Sequence, residues 1–167
     1  MLYKVFITIL FFFSCLVTKA FNSDSLSLKL KGEILIETDE PSICDIYLYR
    51  GNDLIDSIKS SAAGIFEIDV KLGYNYTIEI SKPGFYSKRF CTNAEVDDIN
   101  TNFPNFEFIC EMFLRNNEIE YTILDFPVTI IQVNKKKGEF EYSKSYTKHI
   151  NKKRKSLNQE MSQNFEF

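Results

Sequence analysis

The region from Gly64 to Phe90 alternates apolar and polar side chains over two consecutive runs. A period of two is typical of β-strands that bury one face and expose the other. Leu72-Gly73 joins the two runs, so the pattern predicts a hairpin, and Lys82-Pro83-Gly84 then turns the chain into another extended run. The apolar members of the two runs are Phe66, Ile68, Val70, Tyr74, Tyr76, Ile78 and Ile80.

The same alternation extends to both sides of this region and predicts seven strands before residue 116. Seven short strands separated by turns are typical of an antiparallel sandwich, transthyretin-like or Ig-like, here over residues 21–115. In the last strand Ile109 and Phe113 lie opposite the main apolar face, so we expect that side to be partly covered. The strands outside the hairpin are Leu28–Glu37, Ile43–Arg50, Leu54–Lys59, Phe85–Thr92 and Asn105–Arg115.

Residues 116–167 form a carboxyl-terminal extension with a different pattern. An extended apolar run, Phe126–Val133, and a short one, Glu139–Tyr142, flank a lysine-rich turn and predict a further hairpin. From about residue 143 to 160 the spacing becomes helical. We therefore expect a hairpin and a basic amphipathic helix packed on the sandwich, with an apolar stripe formed by Tyr142, Tyr146, Ile150, Leu157 and Met161.

Residues 1–20 resemble a signal peptide. Lys4 provides the positive start, an apolar run follows, and small residues precede a cleavage site after Ala20. The run is shorter than the roughly 20 residues that span a bilayer, and a retained anchor is the alternative. We expect an exported protein, in the periplasm, associated with the outer membrane, or secreted. Membrane association is expected only if Cys15 is lipidated, which would require lipoprotein processing in place of ordinary cleavage.

Charge separates strongly along the chain. Residues 24–125 carry 9 Lys and Arg against 19 Asp and Glu, whereas residues 135–155 carry 9 against 2. The basic patch Lys152, Lys153, Arg154 and Lys155 favours a solvated helix end that complements the helix dipole, with an anionic glycan or lipid surface as the alternative. Because no nucleic-acid motif accompanies the lysines, we expect no nucleic-acid partner.

Three cysteines follow the signal peptide: Cys44, Cys91 and Cys110. In an oxidising compartment an odd number permits at most one internal bridge. Cys91 and Cys110 lie near the facing ends of successive predicted strands, so they are the candidate disulfide. The alternative is that all three are small buried apolar residues.

Residues 30–90 resemble the carboxypeptidase regulatory-like domain, a transthyretin-like β-sandwich. The similarity rests on Gly32 at a strand start, on 45-DIYLY-49 and 63-AGIF-66, and on 76-YTIEI-80 followed by Gly84-Phe85. Ala63 stands where the family pattern has aspartate. The run 126-FPV-128 and the segment 140–148 are similar to the tails of exported Bacteroidota proteins with such a domain. The resemblance implies a folding, spacing or docking module without catalysis.

The residues offer little for catalysis. His149 is the single histidine, which excludes a histidine-based triad or a zinc site built on histidine pairs. Asp97 and Asp98 could act as paired carboxylates in a hydrolase, but acidic loop residues are usually solvated. The sequence therefore predicts a protein that is not an enzyme and that binds neither a metal nor another cofactor.

Four aromatic residues, Tyr47, Tyr49, Tyr86 and Phe90, are the candidate binding residues. On an exposed sheet face they could contact a sugar or a partner, and the alternative is ordinary cross-strand packing. We therefore expect a non-enzymatic interaction or structural module of the cell envelope, which docks to a partner protein through the sandwich surface. The alternative function is a carbohydrate-binding module that uses the exposed tyrosines.

Overall fold

The computed structural model of the protein describes residues 26–36, 41–98, 101–115 and 126–164, and it describes the side chains of the last range through Lys155 except that of Arg154. The predicted signal peptide and Cys15 lie outside the described residues. Within these ranges the elements are β1 (Ser27–Ile36), β2 (Asp45–Arg50), β3 (Asp53–Lys59), β4 (Ile65–Lys71), β5 (Asn75–Ser81), β6 (Lys88–Asn93), β7 (Phe106–Met112), β8 (Thr129–Asn134), β9 (Glu139–Tyr142) and α1 (Lys144–Asn164).

The strands form two sheets that face each other, so the predicted mainly β, sandwich-like fold is confirmed. One sheet has the order β4-β1-β7 and the other the order β3-β2-β5-β6-β8-β9. The pairing is mixed, whereas the sequence predicted an antiparallel sandwich. β1 runs parallel to β7, and β6 runs parallel to β8. Both parallel pairs join strands that are distant in sequence, which the alternation of side chains cannot reveal.

Except for Tyr74, which precedes β5 and is 47% exposed, the apolar positions that the alternation predicts fill the interior between the sheets. Phe108 of β7 lies at its centre, with its ring centroid 5.8 Å from that of Phe66 and 4.8 Å from that of Phe90. Phe66 and Phe108 belong to the three-stranded sheet and Phe90 to the six-stranded one, so the contact between Phe90 and Phe108 joins the two layers. The side chains that are almost completely inaccessible to solvent include Leu28, Leu30, Ile34, Ile46, Ile78, Ile80 and Ile131.

The predicted hairpin around Leu72-Gly73 is wrong, although both of its strands form. β4 pairs with β1 in the three-stranded sheet, whereas β5 pairs with β2 and β6 in the six-stranded sheet. The turn between β4 and β5 forms backbone hydrogen bonds with segments that adjoin both sheets. The Leu72 amide donates to Leu26 O at 3.1 Å, and the Gly73 amide donates to Ala94 O at 2.7 Å. The turn therefore carries the chain from one sheet to the other.

The carboxyl-terminal hairpin forms from β8 and β9, but it does not pack on a face of the sandwich. β8 lies beside β6 and extends the six-stranded sheet at its edge. The predicted helix forms, but the side chains of Leu157 and Met161 from its expected apolar stripe lie outside the described part of the structure. Tyr146 Oη donates to Pro127 O at 2.9 Å, and the Thr147 hydroxyl lies 2.9 Å from that of Thr129. These contacts, with buried Ile150, hold α1 against the start of β8.

No described helix is both long enough and apolar enough to span a membrane.

Candidate functional site

The outer face of the six-stranded sheet carries two of the four candidate aromatic residues. Tyr47 and Tyr49 alternate with the buried Ile46 and Leu48, so their rings lie on the side away from the interior. Their centroids are 6.5 Å apart. Tyr47 is opposite Glu79 of β5 in the register, and Tyr49 is opposite Thr77. This face therefore combines aromatic rings with polar and charged side chains.

A shallow groove of about 450 Å³ lies on this outer face. Its polar floor contains the Glu79–Arg89 ion pair, in which Arg89 Nε donates to Glu79 Oε2 at 3.0 Å. The carbonyl oxygen of Pro127 accepts a hydrogen bond from the Tyr146 hydroxyl, which holds Pro127 in place. Burial raises the pKa of the Tyr146 hydroxyl, so this group keeps its proton and remains a donor. We call this the tyrosine groove, and it is lined by Tyr49, Gly51, Asn52, Thr77, Glu79, Arg89 and Pro127.

The other two candidate aromatic residues lie elsewhere. Phe90 is 4% exposed and packs on Phe108 in the interior, so its predicted place on a surface strip is wrong. The side chains of Lys88, Phe90 and Thr92 point inward from β6. Because two of these three residues are polar, the alternation of apolar and polar residues in this strand does not identify its buried face. Tyr86 lies between β5 and β6, with the Arg115 guanidinium carbon 5.9 Å from its ring centroid. It does not line the tyrosine groove.

The candidate disulfide is not formed, because Cys91 and Cys110 belong to different sheets and point in different directions. Cys91 of β6 lies on the outer face, with its sulfur 3.6 Å from the Thr77 hydroxyl. Cys110 of β7 is buried in the interior, and burial raises the pKa of its thiol to about 12. Burial also raises the pKa of the Cys44 thiol, and all three cysteines are free. The two buried thiols therefore remain protonated near neutral pH.

A second candidate surface lies on the outer face of the three-stranded sheet. Leu35, Ile65 and Ile109 come from its three adjacent strands and are 43%, 56% and 60% exposed. Glu33 pairs in register with both isoleucines, and Glu111 pairs with Leu35. We call Leu35, Ile65 and Ile109 the apolar patch. Among the described residues, the partial cover expected over Ile109 is not found.

The remainder of that face is polar. Lys29 and Lys31 both form ion pairs with Glu67, at 3.2 and 3.3 Å, and these contacts hold the pKa of the Glu67 carboxyl below its usual value. Within the described ranges no ion pair involves Glu33 or Glu111. The apolar patch is thus bordered by carboxylates without a cationic partner in the described chain.

The third surface is a basic groove of about 630 Å³ between α1 and the end of β9. We call it the lysine groove, and it is lined by Tyr142, Lys144, Thr147, Lys148, Asn151, Lys152 and Lys155. It contains two of the four residues of the predicted basic patch. Lys153 instead lies with its ammonium nitrogen 5.6 Å from the Phe126 ring centroid, and the Arg154 side chain is not described.

The residues considered for catalysis are not brought together. The Asp97 carboxylate accepts hydrogen bonds from Lys135 Nζ at 2.8 and 2.9 Å and is largely exposed. Neither Asp97 nor Asp98 lines the tyrosine groove or the lysine groove. His149 is an exposed residue of α1. Within the described part of the chain, no three His, Cys, Asp or Glu side chains are grouped closely enough to hold a metal ion.

Comparison with known proteins gives weak similarity to solved structures over about half of the chain. No family model and no curated protein matches it. The Bacillus anthracis TIE protein is similar over 52% of this chain and 17% of its own length, at 12% identity and a TM-score of 0.41. A type II cohesin–X-dockerin complex from Acetivibrio cellulolyticus is similar over 52% of this chain and 58% of the matched chain, at 16% identity and a TM-score of 0.36.

Proposed function

We propose that this chain is a non-enzymatic interaction module of the cell envelope, exported by its amino-terminal segment, which docks to a partner protein through the apolar patch. The observation that carries the proposal is the exposure of Leu35, Ile65 and Ile109 on one face of a sheet whose other face forms the interior. Contiguous exposed apolar side chains with a polar rim are typical of protein interaction sites. The resemblance to carboxypeptidase regulatory-like domains supports a docking role.

The charges around the patch define the kind of partner. Ile65 and Ile109 lie on either side of Glu33, about 10 Å apart across two strand spacings. Glu33 and Glu111 would be desolvated by any partner that covers the isoleucines, and a buried carboxylate needs a cationic partner. The partner surface is therefore apolar where it covers Ile65, Ile109 and Leu35, and it carries a Lys or Arg opposite Glu33 and opposite Glu111.

Replacing Ile109 by lysine is expected to weaken capture of the partner about tenfold or more, since it replaces the most exposed apolar side chain of the patch by a charge. Leu54→Lys is the matched control, because Leu54 is similarly exposed, at 55%, but lies on β3 at the edge of the other sheet. The measurement is quantitative mass spectrometry of proteins captured from envelope fractions by each variant. Equal capture by the parent protein and Ile109→Lys, with both variants folded, contradicts docking at the patch.

Carbohydrate binding in the tyrosine groove is the second candidate function. The favouring observation is the position of Tyr49 beside the Glu79–Arg89 pair and Asn52, since sugar rings contact aromatic faces while their hydroxyls bond to planar polar groups. The groove also falls within the usual volume range of ligand sites. Sugar binding at this surface could occur alongside docking at the apolar patch.

The parent protein is expected to bind at least one glycan on an array. Tyr49→Ala is expected to reduce this binding about tenfold and Tyr86→Ala to leave it unchanged, because, of these two tyrosines, only Tyr49 lines the groove. Fluorescence titration with the best oligosaccharide then gives the affinity of each variant. An array without any signal removes this candidate, and equal losses for the two variants show that the sugar does not bind in the groove.

A further inference from the structure

The lysine groove concentrates positive charge along one side of α1. Lys144, Lys148, Lys152 and Lys155 follow one another at intervals of four, four and three residues, so they lie on one side of the helix. At 1.5 Å per residue the row is about 17 Å long. Residues 24–125 are strongly acidic, which directs a long anionic molecule toward this row and away from the remainder of the surface.

Three of the four lysines of the row lack ion-pair partners within the described chain, whereas Lys144 lies close to Glu141, whose carboxyl pKa is lowered by a hydrogen bond from Asn134 and also by this lysine. None of Lys148, Lys152 and Lys155 forms an ion pair with another described residue. Cations four residues apart on a helix repel each other. A bound anion would reduce this repulsion, whereas two of the three lysines of the β8–β9 turn already have partners, Asp97 for Lys135 and Glu139 for Lys137.

The other residues of the groove indicate the class of anion. Apart from Tyr142, the residues that line the groove are polar or charged, so the groove has no broad apolar face for insertion into a bilayer. The backbone groups of the helix interior are bonded within the helix, so an extended peptide would find no backbone partners there. Tyr142 stands at one end, 39% exposed, and its ring is fixed edge-on against Phe106 with centroids 5.2 Å apart.

We propose that the lysine groove binds an acidic polysaccharide. The ammonium groups of the row contact successive carboxylates or sulfates, the Asn151 amide bonds to a sugar hydroxyl, and the exposed part of the Tyr142 ring contacts the apolar face of one sugar. This binding does not depend on docking at the apolar patch or on the tyrosine groove.

Isothermal titration of the purified protein with polygalacturonate and with heparin tests the proposal. Binding is expected in 0.1 M salt and is expected to be lost in 1 M salt, where the screening length falls from about 10 Å to about 3 Å. The double variant Lys148→Gln/Lys152→Gln is expected to bind about tenfold more weakly, since each exposed ion contact contributes modestly. Lys135→Gln/Lys136→Gln removes the same charge outside the groove and is expected to change the affinity less than twofold.

Several outcomes overturn the proposal. They are an absence of binding to both polymers in 0.1 M salt, equal weakening by the two double variants, tighter binding of polyglutamate than of polygalacturonate, and tighter binding of anionic phospholipid vesicles than of either polysaccharide. Neutral dextran is the control ligand, and equal binding of dextran likewise contradicts a charge-based site.

Discussion

Replacing Gly64 by alanine is expected to destabilise the protein by about 3–5 kcal/mol, against about 1–2 kcal/mol for the same replacement at Gly51. Both glycines have positive φ, +79° and +62°, where an alanine is strained. They differ in their surroundings. A Cβ at Gly64 would overlap the carbonyl oxygen of Ile34 and lie 3.0 Å from the Ser42 Cβ, whereas a Cβ at Gly51 would meet nothing within 4 Å.

The large effect at Gly64 follows from the position of its turn, which carries the chain from β3 in one sheet to β4 in the other. The Gly64 amide donates to Ser61 O, and the Ile34 amide donates to Gly64 O, both at 2.9 Å. A backbone carbonyl cannot rotate away from an added methyl group as a side chain can. Relief of the overlap would therefore separate β4 from β1 and displace Ile65, a member of the apolar patch.

Urea unfolding of the parent protein and of the two alanine variants measures this difference. The slope of the free energy against urea concentration is expected to stay constant, so that the shift in midpoint reports stability alone. Gly51→Ala measures the loss of stability caused by an alanine at positive φ without a steric overlap of its methyl group. Equal midpoints for the two variants would show that the turn can move away from Ile34 at little cost.

The alternation of side chains predicted where strands occur because burial on one face leaves a period of two in the sequence. β1, β4 and β5 lie within a few residues of their predicted ranges, and their inward side chains are the expected ones. The same pattern contains no information about which strands pair. The turn at Leu72-Gly73 has the residues of a hairpin turn, but its amides bond to Leu26 and Ala94, which are distant in sequence.

The candidate surfaces were predictable to different degrees. Tyr47 and Tyr49 were assigned correctly to an outer face because their neighbours Ile46 and Leu48 are plainly apolar. Phe90 was misassigned because β6 buries Lys88 and Thr92, and two buried polar residues obscure the period. The groove beside Tyr49 depends on Pro127, which the parallel pairing of β8 with β6 brings to that face, and no local pattern predicts that pairing.

Gly32 occupies an inward position of β1 directly opposite Phe66 of β4. A Cβ at Gly32 would overlap the outer ring carbons of Phe66. An exposed ring could turn aside, but Phe66 is 4% exposed and its ring packs edge-on against Phe108. The absent side chain of Gly32 therefore provides the space in which this ring lies, and the same ring forms part of the contact between the sheets.

Gly32→Ala alone is expected to destabilise the protein by about 3 kcal/mol, since overpacking a close-packed interior forces neighbours out of position. Phe66→Leu alone is expected to cost about 1–2 kcal/mol, because a smaller apolar side chain leaves part of the space empty. Combined, the two replacements should cost less than their sum by about 1.5 kcal/mol or more, as leucine leaves space for the new methyl group.

Urea midpoints of the four proteins in this cycle give the coupling energy. Gly32→Ala combined with Ile131→Val is the control, because Ile131 is equally buried but lies on β8, and distant replacements are expected to add within about 0.5 kcal/mol. Additive costs for Gly32 and Phe66 would mean that the ring does not lie over the glycine. In that case the register of β1 against β4, which also places Ile65 opposite Glu33 in the apolar patch, would have to be different.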